Sequence, residues 1–331
     1  MSLRISPRPQ PHFCIATLIA AAFVAAFPTY SLAAYPARPI RLVVPLSAAG
    51  PADTVSRLIA RKLSDSMGQP VVVDNRAGGS TIIGTEIVAR APADGYTLLT
   101  VTTTHAVNPS VFKKLPYDVV QSFTPVTLIE AAPFMLVAHP SIAATSIGEL
   151  IALARSKPRQ MNYASAGVGS SQHLTTELFM AAAKVDWVHV PFKGAGPAFI
   201  DLVAGQVQLM FSSTVSSMQF VNNKQLRGFA VTSLNRLAIA PAIPSIAESG
   251  FAGFESSSWV GMLAPARTPQ AVITRLHQEV AAALKAREVI DTLASMGAEP
   301  SGLPPAAFAA YFKAEMHKWA AVVRRGGIQM E

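Results

Sequence analysis

From Ile40 onwards, short runs of β-branched and aliphatic residues alternate with longer segments of helical period. "IRLVV" (40–44) precedes a helix expected over 53–67, and "PVVVDNR" (70–76) precedes the helical "GTEIVARAP" (84–92). "YTLLTVTT" (96–103) then passes into "THAVNPS", which reads as loop. The middle of the chain repeats the pattern. "MNYASA" leads through "GVGSS" to the helix "QHLTTELFMAAAK", and "WVHVPF" leads through "KGAG" to "PAFIDLVAG", followed by the strand "VQLMFSS". Helix ends are marked as well. Ser146 and Glu149 have capping-box spacing, Pro269 stands at the expected first position of "QAVITRLHQEVAAALKA", and Gly297 closes a helix through "EVIDTLASM". This alternation predicts an α/β protein with largely parallel sheets. No flexible linker separates the two α/β sets, so two lobes joined by crossing strands are expected, with crossings near 127–137 and 227–233.

The first residues bear on compartment. Arg4, Arg8 and His12 precede the apolar run 13–27, and "SLA" ends at Ala33, the parts of a secretory signal over 1–33. The run is short for a membrane span, which needs about 20 apolar residues. The only cysteine, Cys14, lies inside it, so the expected mature, periplasmic chain has no thiol, no cysteine–zinc site and no disulfide. Losing Arg4 and Arg8 lowers the formal charge from +8 to +6. That excess is scattered, without a basic tract interleaved with aromatics, and gives no nucleic-acid groove.

Four loops share one chemistry: "PLSAAGPAD" (45–53), "TTTH" (102–105), "SAGVGSS" (165–171) and "PFKGAGPA" (191–198). Each follows a strand and is small, polar and glycine-rich or hydroxyl-rich. Small side chains let a ligand approach the backbone, where unpaired N–H groups at a helix start suit an anion. In open α/β sheets such loops lie outside the carboxyl ends of strands, where ligands collect. The plain alternative is that any βα turn favours glycine and serine. Asp53 reads first as the N-cap of its helix and second as a contact for a ligand amine. Lys193 reads equally as a carboxylate partner or a solvated lysine, and Trp187, Trp259 and Trp319 as packing aromatics.

Machinery for catalysis is missing from the pattern. The histidines 105, 139, 173, 189, 277 and 317 have no metal-ligand spacing, and no G-x-S-x-G elbow occurs. "GVGSSQ" lacks the third glycine of a dinucleotide fingerprint. The enzyme alternative is a hydrolase or isomerase using Ser170 or Ser171 with His173, whose place in the first turn of an amphipathic helix fits packing better.

Taken in order, "YPARPIRLVVP", "AAGPADTVSR", "GQPVVVDNRAGGSTIIGTEIVARAPADGYTLL", "YASAGVGSSQHLTTELF", "VHVPFKGAGPAFIDLVAGQVQLMF" and "WVGMLAPARTP" resemble the Bug/TctC receptors, the solute-binding components of tripartite tricarboxylate transporters. The resemblance spans essentially the whole expected mature chain. It implies a two-lobed, type II-like periplasmic-binding-protein fold, with lobe 1 over 34–130 and 234–331 and lobe 2 over 131–233. A small carboxylate, an organic acid or acidic amino acid, would be captured in the cleft by backbone amides, without cofactor, metal or catalysis. By position, the first-lobe grip would be Ser47, Ala48, Ala49, Gly50 and Asp53 with Thr102, Thr103 and Thr104. The second would be Ala166, Gly167, Gly169, Ser170 and Ser171, with Lys193, Gly194, Ser212 and Ser213. Implied partners of this monomer are the two membrane subunits of such a transporter, or a signalling protein. The family's usual proline–glycine–glycine is here Ala48-Ala49-Gly50, placing a Cβ at Ala49 where a positive φ is expected. "YDP" reads Tyr117-Asp118-Val119 and "NRPG" reads Asn75-Arg76-Ala77-Gly78, changes confined to turns.

Overall fold

The computed structural model describes residues 1–2 and 35–328, so the expected leader over 1–33, with Cys14, lies outside the described residues apart from its first two. The described residues from Arg38 onwards form one compact unit. Its first α/β set is β1 (Ile40–Val44), α1 (Pro51–Met67), β2 (Val71–Asn75), α2 (Ile82–Ala89), β3 (Thr97–Thr102) and α3 (Thr103–Val111). The long strand β4 (Phe123–Ala138) follows. The second set is α4 (Ile147–Ser156), β5 (Asn162–Ser165), α5 (Ser171–Ala183), β6 (Val188–Pro191), α6 (Ala195–Val203), β7 (Leu209–Ser213), α7 (Thr214–Asn222) and β8 (Arg227–Val231). The chain closes with β9 (Ser257–Pro265), α8 (Gln270–Ala283), α9 (Arg287–Ser295), β10 (Glu299–Leu303) and α10 (Pro305–Gly326).

The helix over 103–111 was not expected. Pro109 sits inside it and Thr102–Thr104 favour strand, which hides its period; yet Ala106, Val107 and Val111 are buried on one face and pack with α10. At α4, Ser146 Oγ accepts from the Glu149 N–H as a capping box requires. The Glu149 carboxylate, however, takes the N–H and hydroxyl of Thr145, each at 2.8 Å. Pro269 proves to be the N-cap of α8 and not its first residue, a shift of one position. Gly297, at φ 75°, closes α9 with its N–H on the Ala294 carbonyl.

Pairing around β4 organises the sheet, whose order is β2-β1-β3-β9-β4-β7-β5-β6, with β8 and β10 also on β4. Residues 123–133 of β4 run antiparallel to β9, and 134–138 run antiparallel to β7. β1, β2 and β3 are mutually parallel, as are β5, β6 and β7. Because β3 opposes β9, which opposes β4, β3 points along β4 from its first half toward its second. β7 points the other way. The carboxyl ends of both parallel sets therefore face the region where β4 changes partners. Thr102 is level with Val260, and so with Glu130, while Ser213 is level with Phe134. Four residues of β4 separate the two strand ends, about 13 Å at 3.3 Å per residue.

Each half has its own core. Leu99, Val101, Trp259, Phe308 and Trp319 are buried in the first, and Tyr163, Phe179, Trp187, Leu209 and Phe211 in the second. α10 packs on α3, and Glu315 accepts from the indole N–H of Trp259 at 2.9 Å and of Trp319 at 2.8 Å, tying the helix to β9. Leu174 of α5 lies in the same cluster, so α10 spans both halves.

Two kinds of buried ionisable group pull stability in opposite directions with pH. Burial lowers His105 to about 4, a weak bond to the Val119 carbonyl only partly opposing it, and lowers His189 to about 4, with the neighbouring His173 adding to the effect. Both histidines bind protons more readily unfolded, so their contribution is complete above about 6.5 and declines as pH falls toward 4. Burial raises Glu130, 4% exposed and with one carboxyl oxygen lacking a hydrogen-bond partner, to about 8. Its carboxyl is more easily ionised when unfolded, so stability declines as pH rises from 4.5 toward 8. Glu130→Gln should stabilise the fold at pH 8 by on the order of 1–3 kcal/mol and change it little at pH 5, measured by urea denaturation at both values. An equal effect at both would contradict this assignment.

Candidate functional site

Around the junction, the first loop is held from beneath by a closed set of polar contacts. Asp53 is not the N-cap of α1; Gly50 is, with Pro51 opening the helix and Asp53 in its first turn. From there the buried carboxylate reaches back. Its Oδ2 accepts the Ala49 N–H at 2.8 Å and the Arg57 Nε–H at 3.0 Å, and its Oδ1 accepts from Asn75 at 2.9 Å. Asn75 also donates to the Leu46 carbonyl at 3.2 Å and accepts from Arg57 at 2.8 Å. Burial pushes the Asp53 pKa up, but the bonds from Arg57, Asn75 and Ala49 outweigh it and leave it lowered. The carboxylate is charged, and its oxygens are engaged in shaping the loop.

Ser47, Ala48 and Ala49 are exposed. The Ala49 N–H is bound by Asp53 and a turn over 47–50 directs the Gly50 N–H toward the Ser47 carbonyl, whereas the N–H groups of Ser47 and Ala48 have no acceptor among the described residues. At the end of β3, Thr102 is the N-cap of α3 without a side-chain cap bond, so the first-turn N–H groups of Thr103 and Thr104 are open. Thr102 and Thr104 are half-buried; Thr103 is buried and its hydroxyl has no partner.

In the second half the loop between β5 and α5 is fastened at several points. Ala166 N–H binds Gln172 Oε1 at 2.9 Å, Gly167 N–H binds Ser165 Oγ at 3.1 Å, and Gly169 N–H binds His173 Nδ1 at 3.0 Å. Ser170 caps α5, its Oγ accepting the His173 N–H. The N–H groups of Val168, Ser171 and Gln172 have no acceptor among the described residues. Gly167 is at φ 128°, and a Cβ there would come within 3.1 Å of the Phe192 carbonyl, so glycine is required for the loop to lie against β6. The Gly194 N–H donates to the Ala166 carbonyl, which joins the "KGAG" turn to this loop. Lys193 is exposed and makes no ion pair among the described residues. Ser212 is buried and Ser213, half-buried, precedes α7 as its N-cap.

The sequence-stated residues thus fall at the carboxyl ends of β1, β3, β5, β6 and β7, around the partner change in β4. Three contributors were not foreseen. Asn75 and Arg57 hold the first loop, and Val168, half exposed at 50% between two glycines, puts an apolar side chain beside free amides. "DNR" at the end of β2 was the available signal for Asn75, whose position became meaningful only with the parallel pairing of β1 and β2. The proposed serine–histidine pair is not formed: the His173 ring nitrogens face Gly169 N–H and Glu177, and Ser170 Oγ meets only the His173 backbone. His189 Nε2 does meet Ser165 Oγ at 2.7 Å, but that serine is fully buried beneath the loop. A surface groove of about 480 Å³ lies elsewhere, lined by Val119, Phe123, Leu263 and Phe312, with no loop of the junction in its wall.

Ala49 takes φ 65°, the left-handed conformation expected of a glycine at this place. A Cβ there costs about 1–2 kcal/mol, against roughly 0.5–1 kcal/mol of extra unfolded-state freedom for glycine. Ala49→Gly should therefore raise stability by about 0.5–1 kcal/mol in urea denaturation; a loss of stability would show that the loop is unstrained.

Comparison with known proteins gives the family and the fold. The family model described as "Tripartite tricarboxylate transporter family receptor" matches residues 55–328. A protein of the tcbD-tcbE intergenic region of Pseudomonas sp. (strain P51) is 42% identical, covering 87% of this chain and 86% of that protein. Protein BugT of Bordetella pertussis is 36% identical over 96% and 97%. Among solved structures, R. palustris Rpa4515 with adipate is 38% identical, covers 89% of this chain and 99% of that one, and superposes with a TM-score of 0.74. MatC from Rhodopseudomonas palustris with bound malate is 32% identical over 87% and 100%, with a TM-score of 0.70. The curled, two-lobed α/β architecture is that of the periplasmic solute-binding proteins, among them BugD. In sequence and in fold, the chain belongs to the receptor family of the tripartite tricarboxylate transporters.

Proposed function

We propose that this protein is a periplasmic receptor that captures a small carboxylate between two lobes and presents it for uptake or sensing. The observation that carries this reading is the opposition, across the partner change in β4, of two loop sets that both expose unpaired backbone N–H groups. Backbone amides at helix starts are suited to a carboxylate, since they are fixed donors on the positive end of a helix. In this reading lobe 1 comprises 34–130 and 234–331, and lobe 2 comprises 131–233, a division supported by the change of β4 from β9 to β7 at Pro133 and Phe134.

The grip residues take distinct parts. Amides of Ser47 and Ala48 with Thr102, Thr103 and Thr104 receive one end of the ligand, while Asp53 acts through the loop it shapes. Gly167, Gly169, Ser170 and Ser171, with Ala166 and Gly194, form the opposing face, and Lys193, Ser212 and Ser213 flank it. Val168 touches hydrocarbon, which favours an acid with an aliphatic segment; adipate and malate in the related structures are of that kind. Binding stabilises the closed state by contacts available only when both lobes meet the ligand. Residues 1–33 act as the export signal, and no helix among the described residues is long and apolar enough to cross a membrane. The receptor works as a monomer without cofactor, metal or turnover, and delivers to the two membrane subunits of its transporter or to a signalling partner.

A thermal-shift screen of the purified protein against aliphatic di- and tricarboxylates, aromatic acids and acidic amino acids tests this. At a concentration 100-fold above Kd, the bound acid should add about 2.7 kcal/mol to stability. A compact protein that no acid of the panel stabilises would contradict the reading.

A further inference from the structure

Beneath the second loop lies a stack of ionisable side chains that ligand capture as such does not require. His173, in the first turn of α5, and His189, on β6, stack face to face with ring centroids 4.0 Å apart, and Tyr163 of β5 stacks on His189 at 4.8 Å. His173 is 5% exposed. Each imidazole fastens one side of the glycine loop. His173 Nδ1 accepts the Gly169 N–H, and His189 Nε2 meets Ser165 Oγ, which itself accepts from the Gly167 N–H and reaches the Gly167 carbonyl at 3.1 Å.

We propose that His173 is a positioning residue of the receptor and that its protonation releases the Gly169 side of the ligand loop, so that the protein holds its ligand at neutral pH and sheds it in acid. The proposal rests on the carboxylate-receptor reading only for its second half; the coupling of His173 to the loop stands on geometry alone.

The chemistry is that of one nitrogen. An N–H can be received at Nδ1 only while that atom carries a lone pair, so the Gly169 contact fixes the neutral, Nε2-protonated tautomer. A proton arriving at Nδ1 turns the acceptor into a donor facing another donor, and the Gly169 N–H must swing away. Glu177, one turn along α5, stands with Oε1 3.7 Å from His173 Nε2. Nε2–H faces Glu177 in both states; protonation strengthens that contact by charge and removes the acceptor from Gly169.

Every group facing this ring fits a single-proton device. From its own helix there is Glu177, from β5 Tyr163, whose hydroxyl donates to Glu177 Oε1 at 2.8 Å, and from β6 His189. β7 brings only Leu209, Met210, Phe211 and two serines under the helix. α10 approaches Glu177 through Gly326, which has no charged side chain. Burial raises Glu177, but bonds from His173 and Tyr163 outweigh it and keep it a lowered, charged carboxylate ready to receive a cation. His189, lowered to about 4 chiefly by burial, stays neutral beside a protonated His173, since two cationic rings in such a stack repel. One proton is enough to release the loop, and Ser165 with His189 retains the Gly167 side.

Two measurements decide the point. In ligand-free wild-type protein, ¹⁵N NMR across a pH titration should show the Gly169 amide shifting with the same midpoint as the His173 ring nitrogens, with Nδ1 unprotonated at neutral pH. A Gly169 amide that ignores the His173 titration overturns the proposal, whatever the ligand. In calorimetry with adipate, or malate if adipate is not held, wild-type affinity should fall roughly tenfold or more between about pH 7.5 and pH 5.5, the equivalent of one lost hydrogen bond. His173→Asn, which keeps an acceptor near the Nδ1 position but cannot titrate, should bind at neutral pH as wild type does and lose most of that fall. His173→Ala should bind weakly at both values. An unchanged fall in His173→Asn would assign the pH dependence to the ligand's own carboxyls and refute the role of His173. If neither acid binds any form, the acid found by the thermal-shift panel takes their place in the calorimetry, and the NMR titration decides the coupling without a ligand.

Discussion

One strand, β4, supplies backbone to both halves of the sheet, and the placement of every candidate residue depends on it. Its first eleven residues pair with β9 and its last five with β7, all antiparallel. That arrangement reverses the second parallel set relative to the first and points two rows of strand ends at each other. A crossover joining the sets in the same direction would have put the glycine loops at opposite ends of the molecule. Pro133 stands where the strand changes partners, and two register shifts, between 125 and 127 and between 128 and 130, interrupt the β4–β9 ladder before it. The gap between the loop sets is thus a property of backbone pairing, and the side chains refine it.

The two loops are shaped by different means toward a similar end. In the first, a buried carboxylate with an arginine and an asparagine draws the loop against its helix through the Ala49 N–H and leaves those of Ser47 and Ala48 free. In the second, a glutamine, a serine and one imidazole each take one N–H, a second imidazole backs the serine, and Val168, Ser171 and Gln172 are left open. A ligand grip made of amides needs such support, because a short glycine-rich chain without it loses too much conformational freedom on binding. The supports differ in one respect. Asp53 is held charged by its neighbours, whereas an imidazole nitrogen changes from acceptor to donor when it is protonated.

Much of this was legible in the sequence, and the failures have physical reasons. The alternation of β-branched runs with amphipathic segments disclosed both α/β sets and the loops after β1, β5 and β6, since period and turn chemistry are local properties. The helix α3 stayed hidden because Pro109 and a threonine-rich start mask a helix that tertiary burial of Ala106, Val107 and Val111 makes worthwhile. Asp53 was recognised as a shaping residue but given the wrong position. Gly50 caps the helix, and the carboxylate works from the first turn through partners, Asn75 above all, that only parallel pairing brings near. For the same reason the serine–histidine pair suggested by "SSQH" dissolved: sequence neighbours at a helix start point their functional atoms apart, and His173 finds Gly169 and His189 instead. Ala49 was the substitution flagged against the family pattern, and it takes the positive φ that was expected there.

The central claim, that both loop sets hold one ligand, is tested most directly by amide chemical shifts during titration with the carboxylate that stabilises the protein. Amides of Ser47 and Ala48 and those of Val168, Ser171 and Gln172 should shift along a single saturation curve with one ligand per chain. Shifts confined to one set, or centred on the groove between Val119 and Phe312, would contradict it.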